Sequence, residues 1–251
     1  MSNIDTSLPI CGQATLSPTT PTNNKVTITW ANASDQGGSN LVAGQEKSCE
    51  VTENGQTCTV TLRDTAGNSQ TCISPVVSNI DKTPLTASIV ASTSQWTNQN
   101  VVLTLTTNKV LAEVPVGWQA VVGEDKKYTK TLTTNEQGNL SLRDVAGNTT
   151  NVSFDVGNID KTAPSCGTNW TMHPDAQTPT KEPVTLTLAG SQDGESGLVG
   201  SQTLSCTVSE KGSTCVVSVA DVAGNTASCT SPVVQHIDTI PPQVADIPDQ
   251  S

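Results

Sequence analysis

A five-residue motif recurs three times in this chain of 251 residues. Asp-Xaa-Ala-Gly-Asn begins at Asp64, Asp144 and Asp221, at spacings of 80 and 77 residues. An Ile-Asp step keeps a similar period, and its aspartates are Asp5, Asp81, Asp160 and Asp238. Two landmarks that recur together indicate tandem units of one supersecondary design. The sequence therefore predicts three repeats, at residues 3–80, 81–159 and 160–237, with 238–251 as a linker and the first strand of a truncated fourth domain.

Hydrophobic residues alternate with polar ones inside each repeat, as they do in half-buried β-strands. One such strand is predicted at 26–30, 101–105 and 184–188, and a second lies immediately before the motif. The apolar pairs of the second strand are Val60 and Leu62, Leu140 and Leu142, and Val217 and Val219. No window of 11 residues shows a helical stripe. We therefore expect an all-β chain.

The motif itself has the composition of a hairpin turn. Glycine accepts a positive φ, and Asp and Asn side chains accept or donate hydrogen bonds to nearby backbone groups. The predicted turn residues are Asp64, Gly67, Asn68, Asp144, Gly147, Asn148, Asp221, Gly224 and Asn225. We interpret the three carboxylates as turn formers rather than catalysts.

Longer motifs give the chain a resemblance to a known family. Asn-Ile-Asp-Lys-Thr-(Ala)-Pro occurs at 79–84 and 158–164, Trp-Thr-Asn-Gln-Asn-Val at 96–101, and the hairpin motif follows. This order resembles the bacterial Ig-like tandem repeats of large surface proteins and adhesins, over nearly the whole chain. The resemblance implies three tandem immunoglobulin-like β-sandwich domains, in which the Ile-Asp step joins one sandwich to the next. The tail at 241–250 resembles the opening strand of a further Ig-like or cadherin-like domain.

Eight cysteines fall into two matching sets of four, in the first and third repeats. Four cysteines allow three pairings, and sequence alone does not choose among them. In Ig-type sandwiches the first and last strands are neighbours, which favours Cys11–Cys72 and Cys166–Cys229. The remaining pairs, Cys49–Cys58 and Cys206–Cys215, would then close across an arch. A zinc site or a catalytic thiol is the alternative. No Cys-Xaa-Xaa-Cys pair is present to favour zinc, and no suitable His accompanies each cysteine set to activate a thiol.

The middle repeat has no cysteine but contains four of the six aromatic residues, at Trp96, Trp118, Tyr128 and Phe154. A disulfide and the burial of one or two large side chains stabilise a fold by similar amounts, about 2 to 4 kcal/mol. We therefore interpret the cysteines as structural.

Charge and cysteine content limit the location and the partners. The net charge is -11, which disfavours nucleic acid and anionic lipid as partners. Paired cysteines indicate an oxidising compartment, so we expect an extracellular protein, secreted or at a cell surface. Met1 is followed at once by polar residues, so we expect a segment taken from the interior of an exported protein. No segment is predicted to insert into a membrane.

We predict no cofactor, but the carboxylates at the repeat ends make calcium a candidate ligand. Chain direction places Asp144 near Asp81 and Asp221 near Asp160, with Glu53 and Glu136 as candidate third ligands for these two pairs. Calcium takes six to eight oxygens, so these sets are short. Turn capping and solvated charge are the alternative interpretation.

The sequence predicts a non-enzymatic protein, because it contains no Ser-His-acid set and no phosphate-binding loop. We expect a structural or adhesive stalk segment whose partners are neighbouring Ig-like or cadherin-like domains of the same chain. One alternative is a module that binds a host or cell-surface glycan or protein through the loops at 35–39 and 193–197. Another is a filament subunit or an accessory module of an exported hydrolase.

Overall fold

A computed structural model describes residues 4–243 of the chain. These residues form sixteen β-strands and no α-helix, so the all-β prediction is confirmed. Within the described residues there is accordingly no helix of the length and apolar character needed to cross a membrane. Residues 244–251, where we predicted most of the opening strand of a fourth domain, lie outside the described range, and residues 238–243 contain no strand.

The first repeat contains two small sheets with a shared core. Its strands are β1 (Thr15–Ser17), β2 (Val26–Thr29), β3 (Ser48–Val51), β4 (Thr59–Arg63) and β5 (Ser69–Ile73). Strands β1, β2 and β3 form one antiparallel sheet, and β4 and β5 form a hairpin. Both sheets supply one buried cluster, which includes Ile28 from β2 and Leu62 from β4. The two predicted alternating strands therefore face each other across the core.

The middle repeat has the longest strands. They are β6 (Ala87–Ala91), β7 (Val101–Thr107), β8 (Gln119–Val121), β9 (Glu124–Leu132), β10 (Glu136–Arg143) and β11 (Thr149–Val156). The strand order of its larger sheet is β6-β7-β9-β8, and β10 pairs with β11. The inward residues of β7 are fully buried, as the alternation predicted.

The third repeat repeats the topology of the first. Its strands are β12 (Asn169–His173), β13 (Val184–Ala189), β14 (Ser205–Val208), β15 (Val216–Ala220) and β16 (Thr226–Thr230). Strands β12, β13 and β14 form one antiparallel sheet, and β15 and β16 form the hairpin. Leu188 of β13 packs in one cluster with Val219 of β15.

Four disulfide bonds connect the sheets in the first and third repeats. Cys11–Cys72 and Cys166–Cys229 have Cα–Cα distances of 5.6 Å and span 61 and 63 residues. Cys49–Cys58 and Cys206–Cys215 each span 9 residues. These are the pairs that the Ig-type strand order implied. Because the long bridges attach the start of each repeat to its last strand, they enclose most of the repeat in a covalent loop.

The chain divides into two compact units. One comprises residues 1–90, 104–130 and 138–154, and the other comprises 91–103, 131–137 and 155–251. The division passes through the middle repeat instead of following the expected limits at 80 and 159. The partition into three separate domains therefore stays a prediction.

Candidate functional site at the aspartate clusters

The Asp-Xaa-Ala-Gly-Asn motif closes the last hairpin of each repeat, as its composition predicted. Gly67, Gly147 and Gly224 adopt φ values of +98°, +97° and +95°. In each turn the backbone N–H of the asparagine donates to Oδ1 of the aspartate, over 2.8, 2.8 and 2.7 Å. These bonds hold the aspartate in one orientation. Asp64, Asp144 and Asp221 are all buried, with exposed fractions of 2%, 1% and 1%.

The asparagine of the motif connects two aspartates. Nδ2 of Asn68, Asn148 and Asn225 donates to Oδ2 of the turn aspartate at 2.7–2.9 Å. The same Nδ2 donates to the backbone carbonyl of Asp5, Asp81 and Asp160 respectively, at 2.9–3.0 Å. The hairpin turn is therefore attached to the Ile-Asp step at which its own repeat begins. This contact explains why the two landmarks keep the same period.

In the first repeat a third carboxylate joins the pair. Asp35, in the loop that follows β2, lies beside Asp5 and Asp64, and one carboxylate oxygen from each residue lies within 4.8 Å of the others. The loop approaches closely because it contains Gly37, where a Cβ would lie only 2.0 Å from Asp5 Oδ1. The Ser39 N–H donates to Asp5 Oδ2 at 3.2 Å. Oδ1 of Asp35 is buried and has no hydrogen-bond partner.

The third repeat builds the same cluster from Asp160, Asp193 and Asp221, again with oxygens within 4.8 Å of one another. The Ser196 N–H donates to Asp160 Oδ2 at 3.0 Å, as Ser39 does to Asp5. Asp160 is fully buried. Three carboxylates so arranged are the ligands that a hard divalent cation prefers.

The middle repeat places a lysine between its two aspartates. Lys109 Nζ lies 2.9 Å from Asp81 Oδ2 and 3.0 Å from Asp144 Oδ2, and it also donates to the Thr83 carbonyl. Its side chain is only 16% exposed. Lys109 follows β7, as Asp35 and Asp193 follow β2 and β13, so it occupies the loop that carries the third carboxylate in the other repeats.

Hydrogen bonds lower the pKa of Asp64, Asp81 and Asp160. Burial acts to raise the pKa of Asp64, but hydrogen bonds from Asn68 outweigh it and the pKa lies below its ordinary value. Burial also acts to raise the pKa of Asp160. Hydrogen bonds from Ser196 and Thr162 outweigh burial, so this pKa too lies below its ordinary value. The hydrogen bond from Lys109 is the main cause that lowers the pKa of Asp81.

The structure changes the expected ligand sets. Asp221 and Asp160 do come together, but their third partner is Asp193 rather than Glu136. Glu53 pairs with Lys82 at 2.7 Å. Asp81 and Asp144 share Lys109. The cluster of Asp5, Asp35 and Asp64 was not predicted. Its signal in the sequence was an aspartate in the loop after β2 and after β13, where the middle repeat has lysine.

Comparison of this chain with protein-family models, with curated proteins and with solved structures gave no match.

Proposed function

We propose that this chain is a non-enzymatic architectural segment, a stalk of tandem Ig-like sandwiches in an exported surface protein. The observation that supports this role most strongly is a joint of constant construction at the end of each repeat. Equivalent joints between successive repeats are expected in a segment that acts as a spacer. A binding or catalytic module would instead concentrate its distinctive residues in one repeat.

Each joint is a short backbone ladder. Thr22, Thr97 and Thr180 form isolated parallel bridges with Ile80, Ile159 and Ile237. The N–H of the next residue, Asp81, Asp160 or Asp238, donates to the threonine carbonyl at 2.8–3.0 Å. The Ile-Asp step is therefore fixed to the repeat that precedes it, while its aspartate belongs to the repeat that follows.

A second contact joins the same elements. The N–H of Asn23, next to Thr22, donates to the carbonyl of Ala146 in the turn of the following repeat, at 2.7 Å. Asn98, next to Thr97, makes the equivalent bond to Ala223 at 3.0 Å. A joint with two separate backbone attachments resists bending better than a single covalent linker does. This property supports a spacer that holds a distal domain away from a surface.

The disulfides support an extracellular, mechanically loaded setting. Covalent loops of 61 and 63 residues prevent the first and third repeats from extending fully even when their strands separate. The net charge of -11 keeps such a segment hydrated and disfavours adsorption to nucleic acid or anionic lipid.

Small-angle X-ray scattering of the whole chain tests the stalk. A globular protein of this length has a radius of gyration of about 18 Å. Three sandwiches in a row require a markedly larger value and a maximum dimension several times the width of one sandwich. A radius close to 18 Å would contradict the proposal. Breaking the joint with Asn23→Pro, which removes the donor to Ala146, should broaden the distribution of distances. Asn24→Ala is the control, because it keeps every backbone N–H and should leave that distribution unchanged.

A further inference from the structure

The arches that lead from one sheet to the other differ in length between the repeats. In the first repeat residues 52–58 separate β3 from β4, and in the third repeat residues 209–215 separate β14 from β15. In the middle repeat only residues 133–135 separate β9 from β10. Because strand ladders reach almost to the middle arch, they hold its ends in place. The two longer arches depend on other contacts to keep one conformation.

A short disulfide closes each of the two longer arches. Cys49–Cys58 and Cys206–Cys215 each span 9 residues, and each bond runs from the strand before the arch to the last arch residue. A small covalent ring restricts the conformations of the residues that it encloses. The middle repeat has no cysteine, so its short arch has no such ring. The cross-links therefore occur on the arches that have least support from strands.

The arch of the first repeat holds the segment that leads into the joint. The Gly55 N–H donates to the Val77 carbonyl at 2.8 Å, and the Val77 N–H donates to the Gln56 carbonyl at 3.0 Å. Asn54 Oδ1 accepts a hydrogen bond from the Ile80 N–H at 2.8 Å. All three arch residues lie inside the disulfide ring. The ring therefore holds the groups that fix the Ile-Asp step between the first and middle repeats.

The other two repeats show which part of this arrangement is constant. In the third repeat the Gly212 N–H donates to the Val234 carbonyl at 2.7 Å, and the Val234 N–H donates to the Ser213 carbonyl at 3.0 Å. In the middle repeat Asn135 Oδ1 accepts the Ile159 N–H at 2.8 Å. Each repeat therefore holds its outgoing segment by its arch, and only the longer arches are cross-linked.

The short bridge of the first repeat can open while the sandwich stays closed. Cys49 and Cys58 are both half-buried, whereas Cys72 of the long bridge is only 1% exposed. The Cys11–Cys72 bond attaches the start of the repeat to its last strand across 61 residues. Loss of the short ring should therefore release the arch and leave the core in place.

We propose that the Cys49–Cys58 disulfide is a redox-sensitive clamp on the joint between the first and middle repeats, which a dithiol reductant opens. One thiolate of the reductant attacks a cysteine sulfur and the Sγ–Sγ bond breaks. The second thiolate then displaces that cysteine from the mixed disulfide, so the protein gains two thiols and the reductant becomes a disulfide. The inference deepens the proposed spacer role and rests on it, since it makes the stiffness of one joint adjustable.

Amide hydrogen exchange on the whole chain tests the clamp. In the double variant Cys49→Ser and Cys58→Ser we expect exchange on the order of tenfold faster at Val77 and Ile80, because their hydrogen bonds to the arch open more often. The amides of the β4–β5 ladder should keep their protection. Unchanged exchange at Ile80 would overturn the proposal. An equal loss of protection in the β4–β5 ladder would also overturn it, because the bridge would then hold the whole sandwich.

The third repeat supplies the matched control. The double variant Cys206→Ser and Cys215→Ser should accelerate exchange at Val234 and leave Ile80 as in the wild type. The Ile159 amide, held by the arch without a disulfide, should be unaffected in both double variants. Faster exchange at Ile80 in the third-repeat variant would contradict a clamp that acts on its own joint.

Stepwise reduction of the wild-type chain with dithiothreitol tests the redox sensitivity. Alkylation of the free thiols and peptide mapping should show Cys49–Cys58 cleaved while Cys11–Cys72 is intact, with exchange at Ile80 equal to that of the double serine variant. Cleavage of the long bridge first would overturn the proposal. X-ray scattering tests the spacer separately: an elongated chain with unaltered exchange at Ile80 refutes the clamp alone, and a compact chain with altered exchange refutes the spacer alone.

Discussion

The first and third repeats differ from the middle repeat in two respects, although all three use the same turn and the same joint. The outer repeats contain two disulfides each and a cluster of three carboxylates. The middle repeat contains neither, and it has Lys109 between two carboxylates. Each repeat has a thin core and carries negative charge at one end. The comparison shows that the outer repeats and the middle repeat stabilise these two features in different ways.

Aromatic packing takes the place of covalent bridges in the middle repeat. Trp118 and Tyr128 are buried, and the rings of Trp118 and Phe154 meet edge to face with centroids 6.2 Å apart. Phe154 fits against Gly138, where a Cβ would lie 2.6 Å from its ring, and Lys130 Nζ lies 5.5 Å from the ring centroid. Large rings bury more apolar area per residue than the valines and leucines of the outer repeats, so a cross-link is less necessary.

The largest expected effect is the loss of a long disulfide. Replacement of Cys11 and Cys72 together by alanine should lower the free energy of unfolding of the first repeat by about 4 kcal/mol, because the bridge spans 61 residues and constrains the unfolded chain. Chemical denaturation followed by tryptophan fluorescence measures this, since Trp30 in the first repeat is buried.

The third repeat provides the matched control for that change. Cys166 and Cys229 span 63 residues, so their joint replacement should destabilise the third repeat to a similar extent. The transition of the middle repeat should remain in place in both variants. A middle repeat that loses stability together with its neighbours would show that the repeats unfold as one unit, and the contrast between them would fail.

The next largest effect concerns Lys109. Replacement by methionine keeps the length and the apolar stem but leaves Asp81 and Asp144 without their cation, so the middle repeat should lose about 3 kcal/mol of stability. Lys127→Met is the control, because Lys127 pairs with Glu124 at the exposed surface and such pairs contribute less than about 1 kcal/mol. Equal losses in the two variants would mean that Lys109 has no special electrostatic role.

The smallest effect is a difference in pH dependence. Burial acts to lower the pKa of Lys109, but its bonds to Asp81 and Asp144 prevail and raise that pKa above the ordinary 10.5. A raised pKa in the folded state contributes stability that is fully present below 10.5 and is lost as the pH rises through the folded value. The lowered pKa values of Asp81 and Asp144 contribute stability that is present above 3.8 and is lost as the pH falls through the folded values.

The middle repeat should therefore lose stability at both ends of the pH range. The outer repeats have lowered pKa values at Asp5, Asp64 and Asp160 but no such lysine, so this mechanism destabilises them in acid alone. We expect the middle repeat to lose more stability than the outer repeats between pH 9 and pH 12. Thermal unfolding of the wild-type chain and of Lys109→Met across this range measures it, and an alkaline loss that persists in the variant would assign the effect to another group.

The local features of this chain were predictable because each depends on residues that are close in sequence. The turn at Asp64, Gly67 and Asn68 follows from the conformational freedom of glycine and from short side chains that reach their own backbone. The alternation at Val26 and Ile28 predicted which residues would be buried. The disulfide pairs needed more, since three pairings were open until the resemblance to Ig-type repeats supplied a strand order.

The aspartate clusters were only half predictable. Chain direction was enough to bring Asp221 towards Asp160, because the last turn and the first step lie at the same end of a repeat. It was not enough to find Asp193 or Asp35, since the course of a glycine-containing loop depends on the contacts that it makes. The prediction of Glu53 as a ligand was wrong for the same reason, because its loop places Glu53 in an ion pair with Lys82.

The sequence by itself determined an all-β chain of three similar repeats, their hairpin turns and the residues that face their cores, because side-chain alternation and turn chemistry act over a few neighbouring residues. Only the tertiary structure decided which charges meet. Asp35 and Asp193 each join two other aspartates, whereas Lys109 lies between two carboxylates in the middle repeat. These contacts form because each loop lies about thirty residues from its partners in sequence but packs at the same end of the repeat. Whether these loops meet depends on how the strands pack against one another, and a short stretch of sequence does not determine that packing.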